Sequence, residues 1–310
     1  MTLGTGCAVS VPPRLMPGAA PLASLPRDLK VRVAGRIVNV AFEDYVAGSA
    51  ISEVSPTGES TATIDRVLDV QTIVARTYAL AHLGRHRADG FDVCDSTHCQ
   101  LYEPARMGTS RFAPDVRRAI ARTAGAVLTY GGRPIDAVFH ADCGGHTASS
   151  DQVWGTPTLP YLPSEPDRVP ALIHRSWVVT LTREQVRVAL NAEARSAVGR
   201  TLTSIEARQT DDSDRISRVQ VSGDRRVDLN GDDFRTLLNK SLGPKGLPST
   251  RFRIQSNRTG FVMTGTGFGH GVGLCQLGAM ARARRNAPVS AILASYFPGA
   301  VLTTPGGRIP

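Results

Sequence analysis

A chain of 310 residues, 41% hydrophobic and 20% charged, is too apolar and too evenly composed to be intrinsically disordered. Its 30 Gly and 20 Pro, scattered along the whole length, exclude a coiled coil or an all-helical bundle. The net charge of +9 points towards anionic partners, but only Lys30, Lys240 and Lys245 among the 36 basic residues are lysines, a skew that reads as codon bias of a GC-rich genome.

Neither a charged start nor an apolar run opens the chain, so no secretory signal is written there. Leu3-Gly4-Thr5-Gly6-Cys7 weakly resembles a bacterial lipoprotein cleavage box, with the Pro/Ala-rich residues 8–29 as a tether; the alternative is a disordered leader with an incidental cysteine. Folded structure is expected from Lys30. Residues 30–42 alternate apolar and polar around a Gly-Arg turn, which predicts a β-hairpin. From Glu43 the spacing becomes helical through Val46, Ala50, Ile51 and Val54, and a second helix is predicted from about Asp65 to His82. A loop rich in Gly, Asp and His spans 84–100. Pro114 then opens a helix over 114–124, at the one position where its missing N–H costs nothing. Strands are expected around Ala126–Tyr130 and Ile135–His140, joined by the Gly131–Gly132 turn.

Prolines punctuate 156–170 and mark a boundary. A strand follows, ending at the capping box Thr182-Arg-Glu-Gln185, which opens a helix to about Ala194. Strands near 203–209, 215–221 and 251–256 bracket a short helix at 231–239. A strand at Phe261–Thr264, a glycine-rich loop and a helix from about Gln276 to Arg285 complete the series. No segment offers the roughly 20 apolar residues of a membrane-spanning helix.

Strand, GTGFGHGVG, then helix invites a dinucleotide-binding reading, but the spacing fails in every frame. Counting from Gly265, Gly267, Gly269 or Gly271, the third glycine is replaced by His270, Val272, Leu274 or Gln276. Position 290 is Ser where the ribose would need an acid, and there is no Walker lysine. No nucleotide cofactor is expected. Nucleic acid is not favoured either, since no basic run is interleaved with aromatics. The glycines instead let the backbone approach a neighbour closely, with His270 presented from the loop.

Three places can carry chemistry. Glu53 shares a helical face with Val46 and Ala50, so its carboxylate is either ion-paired or desolvated towards the pKa of a general acid. Cys94, His98 and Cys99 lie within six residues, with His86 upstream as a fourth ligand for tetrahedral zinc; a Cys94–Cys99 disulfide is the alternative. His140, Cys143 and His146 project from a loop with a Gly pair, and Cys275 sits in another Gly-rich loop that could converge on Cys143. Disulfide, metal or buried thiols all remain open for that pair.

Five blocks in order resemble the stage II sporulation protein D family of peptidoglycan lytic transglycosylases and amidase-enhancer relatives. They are Val38-Asn-Val-Ala-Phe-Glu-Asp-Tyr-Val-Ala-Gly with Ser49-Ala-Ile-Ser-Glu53-Val, Val70-Gln-Thr-Ile-Val-Ala-Arg76-Thr-Tyr78, and Phe91-Asp-Val-Cys-Asp-Ser-Thr-His-Cys-Gln100-Leu-Tyr102. Ala137-Val-Phe-His140-Ala-Asp-Cys-Gly-Gly-His146-Thr leads to Val153-Trp154-Gly, and Gly267-Phe-Gly-His270-Gly-Val-Gly-Leu-Cys-Gln276-Leu-Gly-Ala precedes Tyr296-Phe-Pro298-Gly299. Leu229-Asn-Gly-Asp-Asp-Phe-Arg235 also fits, so the likeness covers residues 30–303. Two departures stand out: Ser55 intervenes before Pro56, and Cys275 replaces a common Ser.

The resemblance implies that Glu53 is the catalytic acid/base and that zinc is held by His86, Cys94, His98 and Cys99. It implies a mixed α+β fold, with a catalytic core over 30–164 and 256–310, an inserted α+β subdomain over 165–255, and a leader or tether over 1–29. Ordinary glycosidases use two carboxylates. A single one suffices when the substrate's acetamido oxygen attacks the anomeric carbon and the muramic 6-hydroxyl then closes to a 1,6-anhydro product. Arg76, Tyr78, His140, His146, His270 and Gln276 are expected to line the groove and bind sugar hydroxyls and acetamido groups. A second reading is a non-catalytic glycan-binding module that stimulates a cell-wall amidase. A third is a zinc hydrolase centred on His140, Cys143 and His146. Either cell-wall role requires export to the periplasm or envelope, with Cys7 as a lipid anchor, and the arginine-rich surface would suit the carboxylates of peptidoglycan.

Overall fold

The computed structural model describes residues 24–304 and 307–308. Cys7 and most of the expected leader lie outside the described residues. The chain is mixed α+β and divides into two compact units: the described residues up to Val138 with those from Ala279 onward, and Phe139–Gly278. Among the described residues no helix is long and apolar enough to cross a membrane.

In the first unit, strands Asp28–Val33 and Arg36–Ala41 form the expected hairpin, with Val33 opposite Arg36. Only Ala34 and Gly35 remain for the turn, and both take positive φ (47° and 80°), the two-residue geometry that matches strand twist. Val93–Cys94 adds in parallel to the first strand, with Arg32 opposite Cys94. The second strand runs directly into the helix Phe42–Glu53. Ser60 caps the long helix Thr61–Ala81 by accepting from the Thr63 amide. Pro114 lies in the first turn of Ala113–Arg122. These three helices close one core through Ala47, Ile51, Leu68, Ala113, Val116 and Ala119. A small sheet places Val127–Tyr130 between Arg133–Pro134 and Val301–Thr304.

The strand expected over Ile135–His140 is not formed as such. The amides of Ala137 and Val138 bond back to Ile135 and Asp136, two residues behind each, so this stretch turns locally and only Phe139–His140 remains extended into a ladder.

In the second unit, Gly260–Thr266 is the central strand between Ser176–Thr182 and Phe252–Ser256. A second antiparallel sheet is built from Leu202–Thr210, Ile216–Gly223 and Arg226–Asn230. Thr182 and Gln185 complete their reciprocal capping box at the start of Arg183–Asn191. This helix and Gly231–Leu242 bury Val186, Leu190, Phe234 and Leu238 against Val219, Phe261 and Met263. The segment 165–255 lies inside this unit, which also takes in 139–164 and 256–278. The reason is pairing: Gly260–Thr266 is hydrogen-bonded to Ser176–Thr182, and Leu274–Cys275 to Phe139–His140.

Candidate functional site

Glu53 is the last residue of the helix Phe42–Glu53. A carboxylate there faces the unbonded carbonyls and the negative end of the helix dipole, an arrangement that favours its neutral form. The loop 100–106 is stitched onto this helix end. The Leu101 amide donates to Glu53 Oε1 at 2.8 Å, the Glu103 amide donates to Ser52 Oγ at 2.9 Å, and Arg106 Nη1 donates to the Ser52 carbonyl at 3.0 Å. Gln100, fully buried, donates to the Ala75 carbonyl at 3.2 Å and ties the same loop to the long helix. Tyr102 packs where Gly48 offers no side chain; a Cβ there would come within 2.4 Å of the ring. Burial pushes the Glu53 carboxyl up to about 7, against the Leu101 amide that favours its charge, and the neighbouring charge of Glu103 adds to the rise. A carboxyl so poised can give a proton near neutral pH and take one back.

The loop that carries Leu101 also carries Cys94, His98 and Cys99. With His86, each offers a ligand atom within 4.8 Å of the others. The sulfurs are 3.3 Å apart as free thiols rather than a disulfide. His86 Nε2 lies 3.4 Å from Cys99 Sγ, and His98 Nδ1 lies 3.8 Å from each sulfur. Tetrahedral zinc with bonds of about 2.0–2.3 Å needs ligand separations of roughly 3.3–3.8 Å, so the set fits that ion. His86 Nδ1 is 3.6 Å from Asp89 Oδ2, the outer carboxylate that leaves Nε2 to face a metal.

Two expected sugar-binding residues of this unit are interior instead. Arg76 is fully buried, its Nε and Nη2 each 2.8 Å from a Glu43 oxygen and its Nη1 donating to the Ala126 carbonyl at 3.1 Å. Tyr78 is 5% exposed, stacks on His82 at 3.9 Å and accepts from Arg85 at 3.0 Å. Both hold the fold together, because the long helix is buried on the side that presents them.

In the second unit, Gly269 and Gly271 take φ of 105° and 87°, and a Cβ on either would strike His140 or Arg215. This close approach seats His270 against Phe139. Its Nδ1 accepts from the Val272 amide at 3.1 Å, so Nε2 carries the proton given to the Phe139 carbonyl at 2.9 Å. Burial lowers its pKa to about 4, which keeps it neutral. Trp154 lies beside it at 5.1 Å, and the Trp154 indole donates to Asp232 at 3.2 Å. His140 is buried, with Nδ1 donating to the Val272 carbonyl at 3.1 Å. His146 is half-buried against the Thr147 carbonyl at 2.8 Å. Gln276 opens the helix Gln276–Arg284 and is half-buried. The structure gathers His140 and Cys143 with Cys275, and not with His146, as a set able to hold a metal. The Leu101 amide, Ser52 and Trp154's partner Asp232 were not singled out from sequence; only the position of Leu101, two residues beyond Cys99, hinted at the first.

A family model described as stage II sporulation protein matches residues 32–130, and a domain of unknown function (DUF8618) matches 173–273. The chain is 32% identical to an uncharacterized protein of Brachyspira hyodysenteriae over 83% of its own length and 65% of that relative's, so it spans less than two thirds of it. It is 28% identical to the stage II sporulation protein D of Bacillus subtilis over 91% of this chain and 80% of that one. It is 25% identical to the amidase enhancer of the same organism over 76% of this chain and 38% of that one.

Proposed function

The chain belongs to the stage II sporulation protein D family, and on that premise we propose that it acts on the bacterial cell wall as a peptidoglycan lytic transglycosylase with Glu53 as its single acid/base. The observation that carries this reading is the Glu53 carboxyl itself: half-buried at a helix C-terminus, bonded by the Leu101 amide and raised to about 7. Protonated, it donates to the leaving glycosidic oxygen while the substrate's 2-acetamido oxygen attacks the anomeric carbon. Ionised, it accepts the proton of the muramic 6-hydroxyl as that oxygen displaces the acetamido group. The bond between N-acetylmuramic acid and N-acetylglucosamine is broken, a 1,6-anhydro bond forms, and no water is consumed.

Zinc belongs, on this reading, to His86, Cys94, His98 and Cys99. Bound there, it would supply a structural cross-link. What the chain's own residues do with that cross-link is hold the loop so that the Leu101 amide stays on the carboxyl. Export to the cell envelope follows from the substrate.

A second reading is favoured by the relative named amidase enhancer: a non-catalytic module that binds glycan and stimulates a cell-wall amidase. Incubating the purified chain alone with sacculi separates the two. New anhydro-muramyl ends support the transglycosylase; binding without new ends, together with faster cleavage by an added amidase, supports the module.

A further inference from the structure

Phe139–His140 and Leu274–Cys275 are the first and last strands of the second unit, and they pair in parallel with His140 opposite Cys275. Three residues after His140 the chain turns back, and the Cys143 amide donates to Cys275 Sγ at 3.2 Å. Both cysteines are free thiols and wholly inaccessible. Buried cysteines are commonly small hydrophobes, but these two sulfurs are set among donors. The Gly145 amide donates to Cys143 Sγ at 3.3 Å and the Gly278 amide to Cys275 Sγ at 3.3 Å. With the Cys143 amide, three backbone N–H groups point at the two sulfurs.

His140 supplies the independent observation. Its Nδ1 faces the Val272 carbonyl, which can only accept, so the ring proton sits on Nδ1. Nε2 is then a bare lone pair, and it is buried without a hydrogen-bond partner. A ring nitrogen of His140 and both sulfurs lie within 4.8 Å of one another. A disulfide between the cysteines would leave Nε2 unsatisfied; a cation held by Nε2 and the two sulfurs would satisfy all three. The histidine's other nitrogen on a backbone carbonyl is the usual outer support of a metal ligand. The Cys143 thiol donates to Asp167 Oδ2 at 3.2 Å.

We propose that His140, Cys143 and Cys275 form a zinc site that clamps the first and last strands of the second unit, distinct from the set on His86, Cys94, His98 and Cys99. Two thiolates and an imidazole are the soft and borderline donors that select this ion over magnesium or calcium. The clamp is independent of whether Glu53 is catalytic.

The test is zinc stoichiometry by elemental mass spectrometry on the zinc-loaded, desalted chain, compared with His140→Gln and Cys275→Ser. Each substitution is expected to remove one zinc equivalent, in the wild-type background and again in Cys94→Ser/Cys99→Ser, which should itself retain one. Cobalt(II) in that double variant should give a sulfur-to-metal absorption band that Cys275→Ser abolishes. Should Cys275→Ser fail to fold, His140→Gln decides, because it leaves both thiols and the strand pairing in place. Unchanged stoichiometry in folded His140→Gln overturns the proposal. So does a Cys143–Cys275 cross-link in the peptide map of the chain as purified.

Discussion

The Leu101 amide lies 2.8 Å from Glu53 Oε1, and Leu101 is the second residue after Cys99. One short loop therefore serves both the candidate acid and the candidate metal ligands. Removing a ligand should be felt at the carboxyl. Cys94→Ser is predicted to lower turnover on sacculi by about 10–100-fold while glycan binding stays within about twofold of wild type. Binding assays run beside turnover check this; a loss confined to binding would mean the loop contacts substrate rather than supporting Glu53.

Burial lifts the Glu53 carboxyl from its ordinary 4.5 to about 7, so the folded state prefers the protonated acid. Its contribution to stability is intact below about pH 4.5 and is lost as pH rises through about 7. Glu53→Gln removes the ionisation and keeps an acceptor for Leu101. The variant should be more stable than wild type by about 2–3 kcal/mol near pH 9 and nearly equal near pH 4. Urea unfolding at both pH values measures this. The same shift predicts that wild-type kcat/KM falls about tenfold per unit above pH 7 as the acid is lost.

Arg76 is placed by its contacts in the fold and not in a groove. Arg76→Ala strands the Glu43 carboxylate and should cost about 2–4 kcal/mol, less than a fully buried pair because Glu43 is 38% exposed. Thermal unfolding decides: an unchanged midpoint with a raised KM would return Arg76 to the substrate.

Gly48→Ala tests the seat of Tyr102. The added Cβ would meet the ring at 2.4 Å with 33° and 5.0 Å already fixed between Tyr45 and Tyr102. A stability loss of about 1–3 kcal/mol is expected, with turnover falling as the neighbouring Leu101 amide shifts.

Much of the architecture was legible in local chemistry. The Pro114 start and the Thr182–Gln185 capping box each state their geometry within four residues, and the first hairpin is legible too, although its turn is Ala34–Gly35 rather than the expected Gly35–Arg36. The β-branched residues of Ile135–His140 suggest a strand but do not reveal the two successive tight backbone turns at Ala137 and Val138. Residue type and spacing mark His86, Cys94, His98 and Cys99 as a candidate metal set, whereas the pattern around Glu53 fits an ion-paired helix glutamate equally and only the resemblance singles it out. The likeness of a block marks that Arg76 and Tyr78 matter without saying whether they face solvent; both are interior. The pairing of Cys143 with Cys275 was left open because it depends on a ladder between strands 135 positions apart, Phe139 opposite Leu274.

The proposed function rests on Glu53 making the anhydro bond. Digestion of purified sacculi by the chain alone, with soluble products read by mass spectrometry, tests it most directly. The wild type should release 1,6-anhydro-muropeptides and a folded Glu53→Gln none. Equal product from both, or none from the wild type under conditions where it binds glycan, would contradict it.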